Sequence, residues 1–161
     1  MRDRVIRDEI HRDILVPAHH ARIIDTHEFQ RLRNVQQLST CEFVFPSATH
    51  TRFAHSLGAY HLAGALTDSL QEVQPGLLSN EDAELVRLGA LLHDIGHPPY
   101  SHLLETPEVF ATYFSHEHWG RVMLENTSSE IGQVLAEVLG TERKKRLFSI
   151  LDGAKECDGI E

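Results

Sequence analysis

At 161 residues, with 41% hydrophobic and 24% charged side chains, the chain has the size and balance of one ordinary globular domain. It holds nothing near the roughly 20 apolar residues of a membrane helix, and no apolar leader of a secreted protein. Two cysteines, Cys41 and Cys157, lie in no CxxC spacing, so the expected setting is a reducing cytoplasm. A net charge of −9 weighs against a protein that coats nucleic acid, and there is no strong nucleic-acid signal elsewhere.

The expected elements, in chain order, begin with residues 1–17, whose Val5, Ile6, Ile14 and Val16 suit a short strand or extended arm. A helix follows from Thr26, a candidate N-cap, with Phe29, Leu32 and Val35 at helical spacing before Ser39. Residues 41–50 carry aromatics, β-branched residues and Pro46, which suits a loop or a two-stranded ribbon. A second helix runs from about Arg52 to Leu70, with Phe53, Leu57, Tyr60, Leu62 and Leu66 as inward candidates. Ser79 or Asn80 caps a third, whose first turn holds Glu81, Asp82 and Glu84, as the helix dipole favours. Its stripe of Leu85, Leu88, Leu91 and Leu92 ends near Asp94, and Gly96-His97-Pro98-Pro99 stops it. Ser115 caps a helix through Asn126, and 131–139 and 143–151 read as helical. The expected class is therefore all-α, a helical bundle with a short β ribbon or arm near the N-terminus. It divides into an arm (1–17), a motif-bearing core (18–126) and C-terminal helices (127–161).

Charge and histidine are unevenly spread. Residues 1–60 hold eight Arg and no Lys against seven acids, whereas the remainder has a net charge of −10. That allows one local anion site rather than a basic face. Five of the twelve histidines fall between His93 and His118. His93 and Asp94 are both metal-ligand types, although a helix-ending His-Asp also serves as a solvated cap. His97, His102 and Glu105 follow in a stretch stiffened by Pro98 and Pro99, the composition of an active-site loop. Upstream, Arg52 and His55 are three apart and share a helical face, which suits a phosphate clamp beside a metal ligand. The bland reading is a solvated arginine and a hydrogen-bonded core histidine. His19, His20 and His50 read as surface or loop residues, His61 as packing or solvent-facing, and Trp119 as core. The run Arg143-Lys144-Lys145-Arg146 reads as a solvated helix face.

The order His55 … His93-Asp94 resembles the H…HD pattern of the HD-domain metal-dependent phosphohydrolases. The stretches IIDTHEFQRLRNVQQL (23–38), VFPSATHTRFAHSLGAYHLAG (44–64) and LGALLHDIGHPPYSHLLE (88–105) look like its deoxynucleoside triphosphate triphosphohydrolase branch, that of the dGTPases and SAM-and-HD-domain dNTPases. The resemblance implies an HD-domain helical bundle that cleaves dNTP to deoxynucleoside and triphosphate. It assigns His55, His93 and Asp94 as metal ligands and Arg52 as a phosphate-holding arginine. Gln37 and Leu38 would line the deoxyribose. His97, His102, Glu105 and His116 would surround the triphosphate, with His102 matching the group that protonates the leaving 5′-oxygen. Relatives have Asp where this chain has Glu105, which weakens that match. Asp25 and Arg33 match positions that recognise a guanine nucleotide in regulated members, or else are a helix-cap aspartate and a surface arginine. The cofactor implied is a divalent ion among Mn, Fe, Ni, Co, Zn and Mg. The partners implied are a dNTP and, since relatives often assemble, further copies in a homo-oligomer.

The chemistry needs these residue types. A divalent ion held by two imidazoles and a carboxylate lowers the pKa of its water toward about 7. A leaving alkoxide needs a general acid near neutrality, which histidine supplies. The family's fourth ligand, an aspartate in a later Asp-X-Asp motif, has no counterpart in this sequence, whose late aspartates are Asp152 and Asp158. That departure points to a fragment or to a short member with an incomplete site. It leaves two other readings: a nucleotide-binding or assembly module, and an HD-superfamily phosphatase or phosphodiesterase on another phosphate ester.

Overall fold

The computed structural model describes residues 2–105 and 115–153. The chain opens with an antiparallel hairpin, β1 (Arg4–Asp8) and β2 (Arg12–Val16), in register from Arg4 opposite Val16 to Asp8 opposite Arg12. Asp8 closes the turn, its Oδ1 accepting from the amides of Ile10 and His11 at 2.9 and 2.8 Å. The period-2 rule then holds along β2: Ile14 and Val16 are buried and Leu15 faces out.

Helix α1 (Ala18–Ile24) is not anticipated by the sequence, because Pro17 at its N-cap offers no side-chain oxygen and seven residues are too few to show a period. Tertiary burial of His20, Ala21, Ile23 and Ile24 holds it instead. The helix expected over 26–39 is shorter: α2 (His27–Gln30) tightens into one 3-10 turn at Arg31–Asn34. Val35 then turns extended because its carbonyl accepts from the Arg52 amide (2.8 Å), while the Gln37 amide donates to His50 (3.0 Å). Residues 41–50 take the loop alternative, with a short 3-10 turn at Cys41–Phe43.

Helix α3 (Arg52–Val73) starts where Thr51 Oγ1 accepts from the Ala54 amide. Its buried face is Phe53, Leu57, Tyr60, Gly64 and Thr67, at the three- and four-residue steps of one stripe. Leu62 and Leu66, expected inward, lie off that stripe and are 57% and 58% exposed. Helix α4 (Asn80–Leu92) lies along α3, capped by Ser79 Oγ on the Asp82 amide at 3.0 Å. Ser115 likewise caps α5 (His116–Glu125), as expected. Trp119, expected in the core, is 43% exposed because α5 buries Gly120 and Leu124 instead.

Helix α6 spans Glu130–Leu151, but Gly140 at φ 67°, ψ −176° breaks it into the two helical pieces expected. Its basic run is not simply solvated. Arg143 pairs with Glu84 and Glu81, and Arg146 with Asp82 and Glu81, so α6 sets its cations on the acidic first turn of α4. Exposed pairs of this kind contribute little singly, about 0–1 kcal/mol, but they fix which faces meet. One apolar core joins every layer, from Ile14 and Ile23 through Phe29, Tyr60, Leu88 and Ile95 to Leu124, Leu135 and Leu147. The described residues thus form an all-α bundle with one N-terminal β ribbon. No helix among them is long and apolar enough to cross a membrane.

Candidate metal centre

The start of α3 and the end of α4 meet at one point. His55, one turn into α3, and His93, the C-cap of α4, bring their Nε2 atoms to 3.2 Å. His93 Nδ1 lies 2.9 Å from the Ala90 carbonyl, which can only accept. The ring proton of neutral His93 therefore sits on Nδ1, and the Nε2 lone pair points toward His55. Because α4 has ended at Leu92, Asp94 is freed from helical spacing and turns its carboxylate to the same point. Its Oδ1 is 3.3 Å from His93 Nε2 and its Oδ2 3.6 Å from His55 Nε2. Donors bonded at about 2.0–2.1 Å to a tetrahedral ion sit about 3.3 Å apart; the two imidazole nitrogens and one or other oxygen of Asp94 approach that spacing, so the three residues suit a first-row divalent ion.

The carboxylate is locked by its surroundings. Arg52, 2% exposed, donates from Nη1 to Asp94 Oδ2 at 2.5 Å and from Nε and Nη2 to Ser101 Oγ at 3.1 and 2.8 Å. Burial by itself would raise the Asp94 pKa, but the His97 hydrogen bond and the charges of His93 and Arg52 outweigh it and hold the group ionised. Burial also lowers His55, helped by the charges of His93 and Arg52 and opposed by Asp94, which favours the neutral, ligating imidazole. The arginine expected on phosphate thus rests on the Asp94 carboxylate.

Three more histidines lie beside this point. His97 stacks on His116 with ring centroids 3.7 Å apart, and His102 stands edge-on to both at 4.8 and 5.2 Å. His97 Nε2 is 3.5 Å from Asp94 Oδ1, so this triad joins the Asp94 carboxylate directly. Burial pulls the His97 pKa down, opposed by that Asp94 contact. The stack depends on Gly96, where a Cβ would fall 2.0 Å from the His116 carbonyl oxygen. Arg31, which the sequence reading passed over, donates to the carbonyls of His97 (2.7 Å) and Ile95, pinning the turn that carries Asp94. Ser101 was missed as well. It and Tyr100 have φ of 50° and 66°, a strained left-handed pair that brings Ser101 Oγ under Arg52. The two prolines ahead were the visible sign of an unusual loop; nothing local marks Arg31.

Of the remaining expected site residues, Gln37 accepts on its carbonyl from Arg52 Nη2 at 3.4 Å, and its side-chain Oε1 is buried without a partner. Leu38 is 45% exposed beside it in sequence. Asp25 caps the end of α1 and takes both guanidinium nitrogens of Arg4 at 2.5 Å. Arg33 lies 3.6 Å over the Phe53 ring and bonds Gln30 Oε1. The backbone of Glu105 ends the 3-10 turn Ser101–Glu105, and its side chain lies outside the described residues.

A pairing of helix-borne histidine with a His-Asp turn, in an all-α bundle, defines the class, and comparison with known proteins agrees. The HD domain family profile matches residues 52–151, and the chain belongs to that family. It is 40% identical over 159 residues to the uncharacterized protein MJ1154 of Methanocaldococcus jannaschii, covering 98% of this chain and 32% of that one. It is 42% identical over 137 residues to human deoxynucleoside triphosphate triphosphohydrolase SAMHD1, covering 80% of this chain and 21% of that one. The Dictyostelium discoideum SAMHD1 homolog is 44% identical over 104 residues, 64% of this chain and 20% of that protein. The chain therefore spans about a fifth to a third of the length of these relatives.

Proposed function

We propose that this chain carries the metal centre of a phosphohydrolase acting on deoxynucleoside triphosphates, releasing deoxynucleoside and triphosphate. The observation that carries this reading is the convergence of His55 Nε2, His93 Nε2 and the Asp94 carboxylate at 3.2–3.6 Å. Two relatives bear the name deoxynucleoside triphosphate triphosphohydrolase, which supports the substrate class. When bound, a divalent ion (Mn, Fe, Ni, Co, Zn or Mg) supplies charge neutralisation on phosphate oxygens and an acidified water.

The residues divide the remaining work. His55, His93 and Asp94 hold the ion, and the Ala90 carbonyl orients His93. Arg52 keeps Asp94 ionised and offers its fork to a phosphate oxygen on arrival of the substrate. Water oxygen attacks the α-phosphorus and gives up one proton, the bond to the 5′-oxygen breaks, and one proton reaches that oxygen, so the step is balanced overall. His102, exposed and edge-on to the His97–His116 stack, delivers it, with His97 tying the triad to Asp94. The partnerless Gln37 Oε1 and neighbouring Leu38 form the sugar wall. Asp25 and Arg33 form a regulatory nucleotide site, an assembled homo-oligomer is the working form, and the setting is cytoplasmic.

One observation favours a second reading. Arg52 is engaged by Asp94 and Ser101, as in a module that binds without turning over. A dNTP panel with each of the six ions decides. The enzyme reading expects triphosphate release that His55→Ala and His93→Ala abolish; nucleotide binding without release from wild type with every ion establishes the module.

A further inference from the structure

A second constellation lies at the other end of α4. His19 and His20, in the first turn of α1, both direct Nε2 to one oxygen of Glu84, Oε1, at 2.8 and 3.1 Å. Neighbouring helical residues ordinarily point about 100° apart, so two adjacent imidazoles meeting on one atom is a specific arrangement. The ligating atoms of the three residues all lie within 4.8 Å of one another. Glu84 and His93 are nine residues apart on α4, about 13 Å of helix rise, so one ion cannot serve both clusters.

The supports of this cluster are those of a ligand set. Arg143 occupies Glu84 Oε2, which leaves Oε1 alone to face the imidazoles. His20 is 2% exposed, and its Nδ1 lies 2.8 Å from the Tyr60 hydroxyl, which can accept the ring proton and free Nε2. Arg87 sits over the Tyr60 ring, its guanidinium carbon 4.9 Å from the ring centroid. Burial pushes His20 down to about 4, with His19 and Arg87 adding and Glu84 opposing, so the ring is neutral near pH 7. Glu84 is held ionised: burial opposes this, but the His19 hydrogen bond and Arg143 prevail. His19, by contrast, is about half exposed at the mouth of an open cleft of about 280 Å³ that Asp68 and Asn80 also line. Three protein donors with one side open to solvent is the layout of a zinc site that keeps a fourth position for water.

We propose that His19, His20 and Glu84 form a second metal site that takes Zn²⁺, with Tyr60 as the positioning residue for His20 and water from the cleft as fourth ligand. Two imidazoles and a carboxylate are a donor set for zinc rather than for magnesium or calcium. The ion would staple α1 to α4, which the contacts of His19 and His20 to Glu84 already bring together.

The test uses the whole chain with the first centre disabled by His55→Ala and His93→Ala. Zinc is titrated against a chromophoric chelator, and Co²⁺ serves as the spectroscopic probe. The expected result is one Zn²⁺ per chain, with the strong visible absorption of four-coordinate Co²⁺. Tyr60→Phe should weaken binding about 10–100-fold, and His19→Ala at least as much. His19→Ala should melt with the background protein in chelator, since its side chain is half exposed, and should lose the zinc-induced rise in melting temperature. No zinc uptake by the background protein, or uptake that His19→Ala leaves unchanged, overturns the proposal. The second result would place the ion at another cluster, such as His97–His102–His116.

Discussion

Gly96→Ala probes the turn on which the whole centre depends. A Cβ there would meet three backbone atoms: the His116 carbonyl oxygen at 2.0 Å, the Gly120 nitrogen at 2.2 Å and the Gly120 Cα at 2.8 Å. No side-chain rotation relieves these contacts, so α5 must retreat by about 1 Å or more from the Asp94 turn. Overpacking that side chains can absorb costs about 1–3 kcal/mol, and a backbone clash sits at or above the top of that range. For a chain of this length, about 3 kcal/mol lowers the melting temperature by roughly 6–12 °C. Thermal and urea unfolding in chelator measure it, and metal affinity should fall as the His97–His116 stack opens. Gly64→Ala is the control, because its Cβ meets only side-chain atoms of Arg87, at 2.9–3.1 Å, which can shift where backbone cannot, and it should cost clearly less than Gly96→Ala. A Gly96→Ala protein melting within about 2 °C of wild type would refute the close approach.

Arg52→Met strands a buried carboxylate and should cost about 3–5 kcal/mol in urea unfolding, whereas Ser101→Ala, which removes one acceptor from the same guanidinium, should cost about 1–3 kcal/mol. A double-mutant cycle of the two should be non-additive; strict additivity would separate them. Tyr60→Ala should cost about 3–5 kcal/mol and Leu62→Ser less than about 0.5, which equilibrium unfolding distinguishes and which the expected inward Leu62 would reverse. Gly140→Ala should cost about 1–3 kcal/mol although nothing lies within 4 Å of its Cβ, because φ 67° with ψ −176° is a conformation only glycine adopts readily. A crystal structure of that variant would show whether α6 straightens.

The long caps and stripes were legible because they are local. Ser79 and Ser115 each mark a helix start that the backbone uses, and the Leu85–Leu92 stripe is buried as its period requires. That His55, His93 and Asp94 belong together was legible through motif resemblance, and the structure brings the three side chains to one point. What escaped was decided by tertiary contact. Helix α1 has no cap and exists because its inner face is buried, so His19 and His20 read as loop residues rather than as partners of Glu84. Leu62 and Leu66 carry apolar side chains outward on α3, which residue type alone misassigns. The role of Arg31 lies in carbonyls more than sixty residues away, and no local pattern encodes it.

The proposed chemistry needs His55, His93 and Asp94 to share one ion. Crystals of this chain grown with zinc, measured on both sides of the zinc absorption edge, place that ion directly. The expected result is an anomalous peak about 2.0–2.1 Å from both His55 Nε2 and His93 Nε2 and in bonding contact with the Asp94 carboxylate. Well-ordered His55, His93 and Asp94 side chains with no peak between them would contradict it.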